Sequence, residues 1–184
     1  CFSGPRAGRV VSMHSARTGI IVTPIWRRAL TGSSLMNVRV TVAQNRSLDH
    51  AFLAPDGLDC GWYQDTFASS TVVRVRASDL SSIDAYSSLL LRPDFYSLFR
   101  EYRFIVICQD DAFLQSDIGD RLESFEDDYV GAPWVAPMRL NRWALSRKGT
   151  ASLLHRATPK RRLFVGNGGL SVRRVNSFLE VLYD

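Results

Sequence analysis

Acidic residues are missing from long parts of this sequence. Residues 1–48 contain no Asp or Glu, and neither does the stretch from Tyr129 to Leu179, which carries ten Lys and Arg. Twelve of the 18 acids fall instead between residues 79 and 128. Lysine is scarce as well, with 2 Lys against 21 Arg. A cationic last third beside an acidic middle suits a site in which acids hold a metal while cations receive the phosphates of one ligand. A solvated basic surface is the competing explanation of the same charge run. No recognised nucleic-acid motif accompanies the arginines, so nucleic acid is not the expected partner. Long apolar runs are also lacking. None approaches the roughly 20 residues of a bilayer span, and residues 1–18 have no apolar core of the kind a secretory signal carries. Cysteine is limited to Cys1, Cys60 and Cys108. Their odd count and wide separation leave neither a disulfide framework nor a metal-type spacing, which points to a reducing, cytoplasmic setting. His14, His50 and His155 stand at no spacing that links them to one another or to a cysteine.

What remains is enough for one core. With 184 residues and 46% hydrophobic content, the expectation is a flexible tail over residues 1–18 and a single domain over 19–184. The run GIIVTPIW predicts a first strand from Gly19, ended near Pro24. Residues Ser33 to Asn45 read as a helix, although VRVTV within them also alternates like a strand. HAFLAP, closed by Pro-Asp-Gly, predicts a second strand and a turn, and Thr71 to Val75 a third strand. Ile83, Tyr86, Leu89 and Leu90 fall on one helical face behind Ser81 or Ser82 as cap, and Pro93 opens a further helical piece. Strand Phe104 to Cys108, a helix over Ile118 to Phe125, and a strand in DDYVGAPW that breaks at Gly131 and Pro133 follow. Val135 to Arg162 reads as a long basic loop. LFVGNGGLSV reads as strand, glycine turn, strand, with a helix from Val175. The βα alternation favours a mostly parallel sheet.

Two motifs carry chemistry. In FIVICQDDAF, an apolar strand buried on both faces stops on Gln109, Asp110 and Asp111. That is the edge where open α/β sheets place ligands. Adjacent carboxylates there need a cation, and a hard divalent metal bridging to phosphates satisfies them; a turn or helix cap accounts for the same residues without a ligand. In the second motif, Gly166, Asn167, Gly168 and Gly169 let backbone N–H groups approach a ligand closely, whereas a tight hairpin is the structural alternative. The sequence is neither a Walker loop nor a dinucleotide fingerprint.

Taken together, LLLRPDFYSLFREYRFIVICQDDAF, DDYVGAPW and VGNGGLSVRRVNSFLEVL resemble a bacterial and fungal domain family of unassigned function related to nucleotide-sugar glycosyltransferases of the GT-A fold. VTPIW and FLAPDGLD are similar to its earlier strands. The resemblance implies a Rossmann-like, mostly parallel mixed sheet flanked by helices. It further implies a nucleoside diphosphate sugar as ligand, an unknown acceptor, and Mn²⁺ or Mg²⁺ as cofactor. Asp111 matches the family's metal or phosphate-facing acid, with Gln109 two residues before it. Asp110 is the insert; it could add to the metal site but is expected to face solvent. Thr23, Pro24 and Ile25 match the first-strand tip that touches the nucleotide. Gly166 to Gly169 match the sugar or acceptor side, with Trp134 as a stacking wall. Arg161, Arg162, Arg173 and Arg174 are the expected phosphate-binding cations. The family continues into an acidic Glu-Asp element beyond the point matched by Asp184, so the chain reads as C-terminally truncated relative to it, and no catalytic base is assigned. A hexosyltransferase-like enzyme is the leading expectation, and a noncatalytic or truncated sugar-nucleotide-binding remnant the alternative.

Overall fold

The computed structural model describes residues 17–138 and 163–183. Six strands form one sheet: β1 (Arg17–Pro24), β2 (Asp49–Pro55), β3 (Thr71–Val75), β4 (Tyr102–Cys108), β5 (Tyr129–Met138) and β6 (Leu163–Arg174). Their order across the sheet is β3-β2-β1-β4-β6-β5. The first four run parallel, and β6 is antiparallel to both neighbours. This is the mixed α/β architecture that the alternation predicts. Among the described residues six α-helices accompany it: α1 (Gly32–Gln44), α2 (Gly61–Thr66), α3 (Ile83–Leu89), α4 (Pro93–Ser97), α5 (Gly119–Glu123) and α6 (Val175–Tyr183).

The central strands are apolar throughout because helices cover both of their faces. On one face Ile20, Val22, Ile105 and Ile107 pack under Leu89, Phe95, Tyr96 and Val175 from α3, α4 and α6. On the other, Phe52 meets Tyr63 and Phe67 near α2, and Phe104, Val106 and Cys108 meet Leu122 of α5. The ambiguous VRVTV segment is helical, and it buries Val38 and Thr41, three residues apart, toward the sheet. Ser82 caps α3 by accepting the Ala85 N–H at 3.1 Å, and Pro93 stands in the first turn of α4, both as expected.

Four expectations change. β1 begins at Arg17, inside the supposed tail, while residues 1–16 lie outside the described residues. β5 does not break at Gly131 and Pro133; it continues to Met138 and slips register against β6 at those positions. The GNGG segment is not a turn but part of a continuous β6. Consecutive residues Gly131 and Ala132 of β5 pair with Ser171 and Asn167 of β6, so three residues, 168–170, are extra on β6. Glycine favours such a bulge, since no side chain has to fit where the strand changes its pairing. Of the supposed basic loop, residues 135–138 belong to β5, and 139–162 lie outside the described residues.

Candidate functional site

The carboxyl ends of β1 and β4 lie side by side, since Val22 pairs with Ile107. Past β1 the chain enters a short loop whose first residue, Ile25, donates its N–H to the Leu53 carbonyl at 2.9 Å. Thr23 and Ile25 are each 1% exposed, and the Thr23 hydroxyl is paired with Nε2 of buried His50 at 3.0 Å. Pro24 is buried beside them. These three side chains therefore build the tip from inside the core. The groups the tip presents outward are Trp26, half exposed, and Arg27, whose guanidinium lies 5.3 Å from the Trp26 ring centre. Tyr63 holds this loop from below by donating its hydroxyl to the Arg27 carbonyl at 2.9 Å. Burial pushes the Tyr63 phenol up to about 12, with Arg27 opposing and Asp110 adding to the shift. Tyr63→Phe should cost about 1 kcal/mol in a denaturant titration, the usual net value of one such bond; an unchanged midpoint would remove Tyr63 as the anchor of the loop.

At the end of β4 the two acids separate. Asp110 is buried and Asp111 exposed, which corrects the expectation that Asp110 faces solvent. One Asp110 oxygen, Oδ2, lies 3.3 Å from Nη2 of Arg27. That contact brings opposite charges together without hydrogen-bond alignment, so Oδ2 is buried and has no hydrogen-bond partner among the described residues. The loop carrying both acids rests on α1. Asn37 donates to the Asp110 carbonyl at 3.0 Å, the Thr41 hydroxyl accepts from Leu114 N–H at 3.1 Å, and Asn45 Oδ1 accepts from Ile118 N–H at 3.1 Å. These three polar residues are spaced four apart and so form one row along the helix. Further on, Asp117 accepts from the Ser47 hydroxyl at 2.5 Å and from Gly119 N–H at 2.8 Å, and these bonds hold its carboxyl below the usual range. Cys108 stands two residues before Asp110, but burial pushes its thiol up to about 11. It is thus no thiolate nucleophile near neutral pH.

Gln109 joins the two motifs. Its N–H donates to the Gly169 carbonyl at 2.8 Å, which brings the bulge of β6 to the tip of β4. Around this junction, on the face covered by α3 and α4, stand Tyr86, Ser171 and Arg173. Arg173 is 6% exposed and donates from Nε to the Ser171 hydroxyl at 3.1 Å and from Nη1 to the Tyr96 hydroxyl at 2.8 Å. Its guanidinium also lies over Tyr129 and Phe178, at 5.5 and 5.6 Å from the ring centres. Arg174 points elsewhere. It pairs across from Phe104 near the opposite end of β4, binds Asp128 at 3.0 Å and caps the Phe125 and Glu126 carbonyls at 2.8 Å. The structure thus separates these two arginines, one at the edge and one in a structural clasp. Trp134 and Asn167 lie on β5 and β6, their side chains outside the described set, as are Arg161 and Arg162 altogether.

Arg27, Asn37, Tyr63 and Tyr86 were absent from the expected site. The Asn37, Thr41, Asn45 row is readable from its spacing; the others depend on contacts between distant segments. A divalent ion can be tested against this donor set. Among the described residues no cluster of three or more His, Cys, Asp or Glu forms a cage. Mg²⁺ and Mn²⁺ sites that act on phosphates, however, use one or two carboxylates and complete their shell from substrate and water. The orphaned Asp110 oxygen and exposed Asp111 fit that kind of site.

Among the described residues no helix is long and apolar enough to cross a membrane. Residues 69–184 match the family described as "Protein of unknown function (DUF5672)". No curated protein matches the chain. Among solved structures the chain is similar to the mannosyltransferase Ktr4p from S. cerevisiae, with 11% identity, a TM-score of 0.46, and 72% of this chain and 44% of that chain covered. It spans less than half the length of that structure's chain.

Proposed function

Because the chain belongs to the family described as protein of unknown function (DUF5672), a description that leaves the chemistry open, we propose that the β1–β4 edge binds a nucleoside diphosphate sugar and that the domain transfers the sugar to an acceptor hydroxyl. The observation that carries this reading is Asp110: a buried carboxylate at the carboxyl edge of a parallel sheet, one oxygen without a hydrogen bond, facing a half-exposed arginine on the neighbouring strand tip. A buried charge so thinly partnered is costly, and a ligand that brings a cation or hydroxyl donors relieves that cost. The GT-A resemblance of the sequence motifs points the same way.

In this reading Asp110 and Asp111 are the residues that would hold Mn²⁺ or Mg²⁺. A divalent ion bound there supplies charge neutralisation for the departing nucleoside diphosphate. Arg27 pairs with Asp110 in the free protein and turns part of its guanidinium to a phosphate oxygen when ligand arrives. Trp26 offers a flat apolar surface for base or ribose. Tyr63 and the α1 row keep both loops in place, which limits the ordering that binding must still bring about. Gln109 and the β6 bulge border the sugar side.

Since the described residues supply so few metal ligands, metal and nucleotide should bind cooperatively. Calorimetry should find Mn²⁺ alone weak, in the millimolar range, and uridine or guanosine diphosphate bound at least tenfold tighter with Mn²⁺ than with chelator. Nucleotide affinity indifferent to Mn²⁺ would refute the metal role. A panel of nucleotide sugars should contain one that is hydrolysed or transferred; binding without turnover across the panel would leave a sugar-nucleotide-binding domain.

A further inference from the structure

The buried guanidinium of Arg173 has no carboxylate partner among the described residues. Its neighbours are neutral: the hydroxyls of Ser171 and Tyr96, the Leu90 carbonyl at 3.5 Å, and two aromatic rings. A cation held at 6% exposure with only neutral acceptors leaves uncompensated positive charge in the fold. The hydroxyl of Tyr86 stands close by. It is buried and without a hydrogen-bond partner among the described residues, and Arg173 and the Gln109 side chain both stand close enough to act on its ionisation. The third observation is open space. Among the described residues, a Cβ built on Gly168 would meet one group within 4 Å, Nη2 of Arg173 at 3.6 Å. Among the described residues, then, the guanidinium alone stands over Gly168 at the bulge of β6, next to the tip of β4.

From these observations we propose that Arg173, Tyr86 and the space over Gly168 form a metal-independent receptor for one phosphate group of the substrate, on the opposite side of Gln109 from the acidic pair. Nη2 of Arg173 and the Tyr86 hydroxyl donate to its oxygens, and the missing Gly168 side chain is what lets the phosphate reach them. Ser171 completes the arrangement by accepting from Arg173 and donating to the Gly168 carbonyl at 3.5 Å, which ties the bulge to the cation. The inference rests on the reading of this edge as a phosphate-ester site, but it requires no metal.

That difference sets the experiment. Inorganic pyrophosphate is titrated into the protein in EDTA, with heat and unfolding temperature as readouts. Wild type should bind it saturably. Gly168→Ala should fold normally, because the residue has no positive φ and the added methyl makes only an ordinary contact, yet its affinity should fall about tenfold or more as the methyl fills the phosphate position. Tyr86→Phe, which keeps the ring, should weaken binding about three- to tenfold through loss of one donor. Displacement of pyrophosphate by a nucleoside diphosphate assigns the group to the donor, and displacement by a hexose phosphate alone assigns it to the acceptor; both outcomes support the receptor. No pyrophosphate binding by wild type in EDTA, or wild-type affinity in both variants, would overturn it. Neither failure touches the Mn²⁺-dependent nucleotide binding measured in the same protein, so the two readings stand or fall separately.

Discussion

Asp110→Asn is expected to lower affinity for a nucleoside diphosphate with Mn²⁺ about a hundredfold, while leaving the unfolding midpoint unchanged or raised. The binding loss follows from removing a buried charge that the ligand complex uses, worth about 2–3 kcal/mol for a charge-assisted contact. The stability expectation follows from the free protein. There the carboxylate carries a desolvation cost against one partner at 3.3 Å, the side chain of Arg27, which is itself 44% exposed. Water screens that pair, so its favourable part amounts to roughly 0–1 kcal/mol, and a neutral isostere escapes the cost of burying charge. Function and stability thus oppose each other at this position, as they do at sites kept ready for a ligand. Exposed Asp111 should behave differently: Asn there should cost about tenfold in Mn²⁺-dependent affinity with little stability change. If Asp110→Asn instead loses more than about 2 kcal/mol of stability and keeps its nucleotide affinity, Asp110 is a structural anchor and the proposed site is wrong.

Acid should destabilise the fold well before the carboxylates titrate, through His50. Its ring is buried under the β1 tip, with Nε2 on the Thr23 hydroxyl at 3.0 Å, Nδ1 on the Ser70 hydroxyl at 2.9 Å, and its edge against Phe52. Burial pushes its pKa down to about 3 from the ordinary 6.5. The unfolded chain therefore takes up a proton in the window between those values and the folded chain does not. Stability is fully present above about pH 6.5 and falls as the pH drops toward 3, by about 1.4 kcal/mol per pH unit. Urea titrations at pH 7.5 and 4.5 should differ by about 2–3 kcal/mol from this group. Asp94 and Asp117, held below the usual carboxylate range by hydrogen bonds, add their losses only at lower pH. His50→Gln retains polar contacts without the titration and should flatten the slope; a slope unchanged in that variant would show that the histidine does not control it.

Much of this site is legible in the chain, some of it through a rule that the motif comparison overrides. Along β4 side chains alternate between faces, so Val106 and Cys108 share the α5 side while Ile105 and Ile107 face α3 and α4. Continued past the strand end, that parity places Asp110 with Cys108 and Gln109 on the other face, as the structure shows. The match of Gln109 and Asp111 to a two-apart acidic element singles out the exposed carboxylate, whereas strand geometry identifies the buried one. The residues Thr23, Pro24 and Ile25 do stand at the tip, but all three are buried, and Trp26 and Arg27, one and two residues later, are the groups presented. The glycines of β6 are different. A residue without Cβ suits a turn and a bulge equally, and only the pairing partners 30 to 60 residues away decide between them. The same holds for Arg173, whose setting is assembled from α3, α4, β5, β6 and α6.

The reversed direction of β6 has an architectural outcome. Met138 leaves the sheet opposite Leu163, where the chain rejoins it, so both ends of the connection meet as neighbours in one ladder. Those ends lie beyond Leu170, the residue that pairs with Cys108, and hence past the rim where β4 stops. A connection pinned this way can lengthen freely: each doubling costs only about 0.6 kcal/mol in closure entropy. The sheet therefore tolerates a change in the length of chain between these two points without any change in its own pairing.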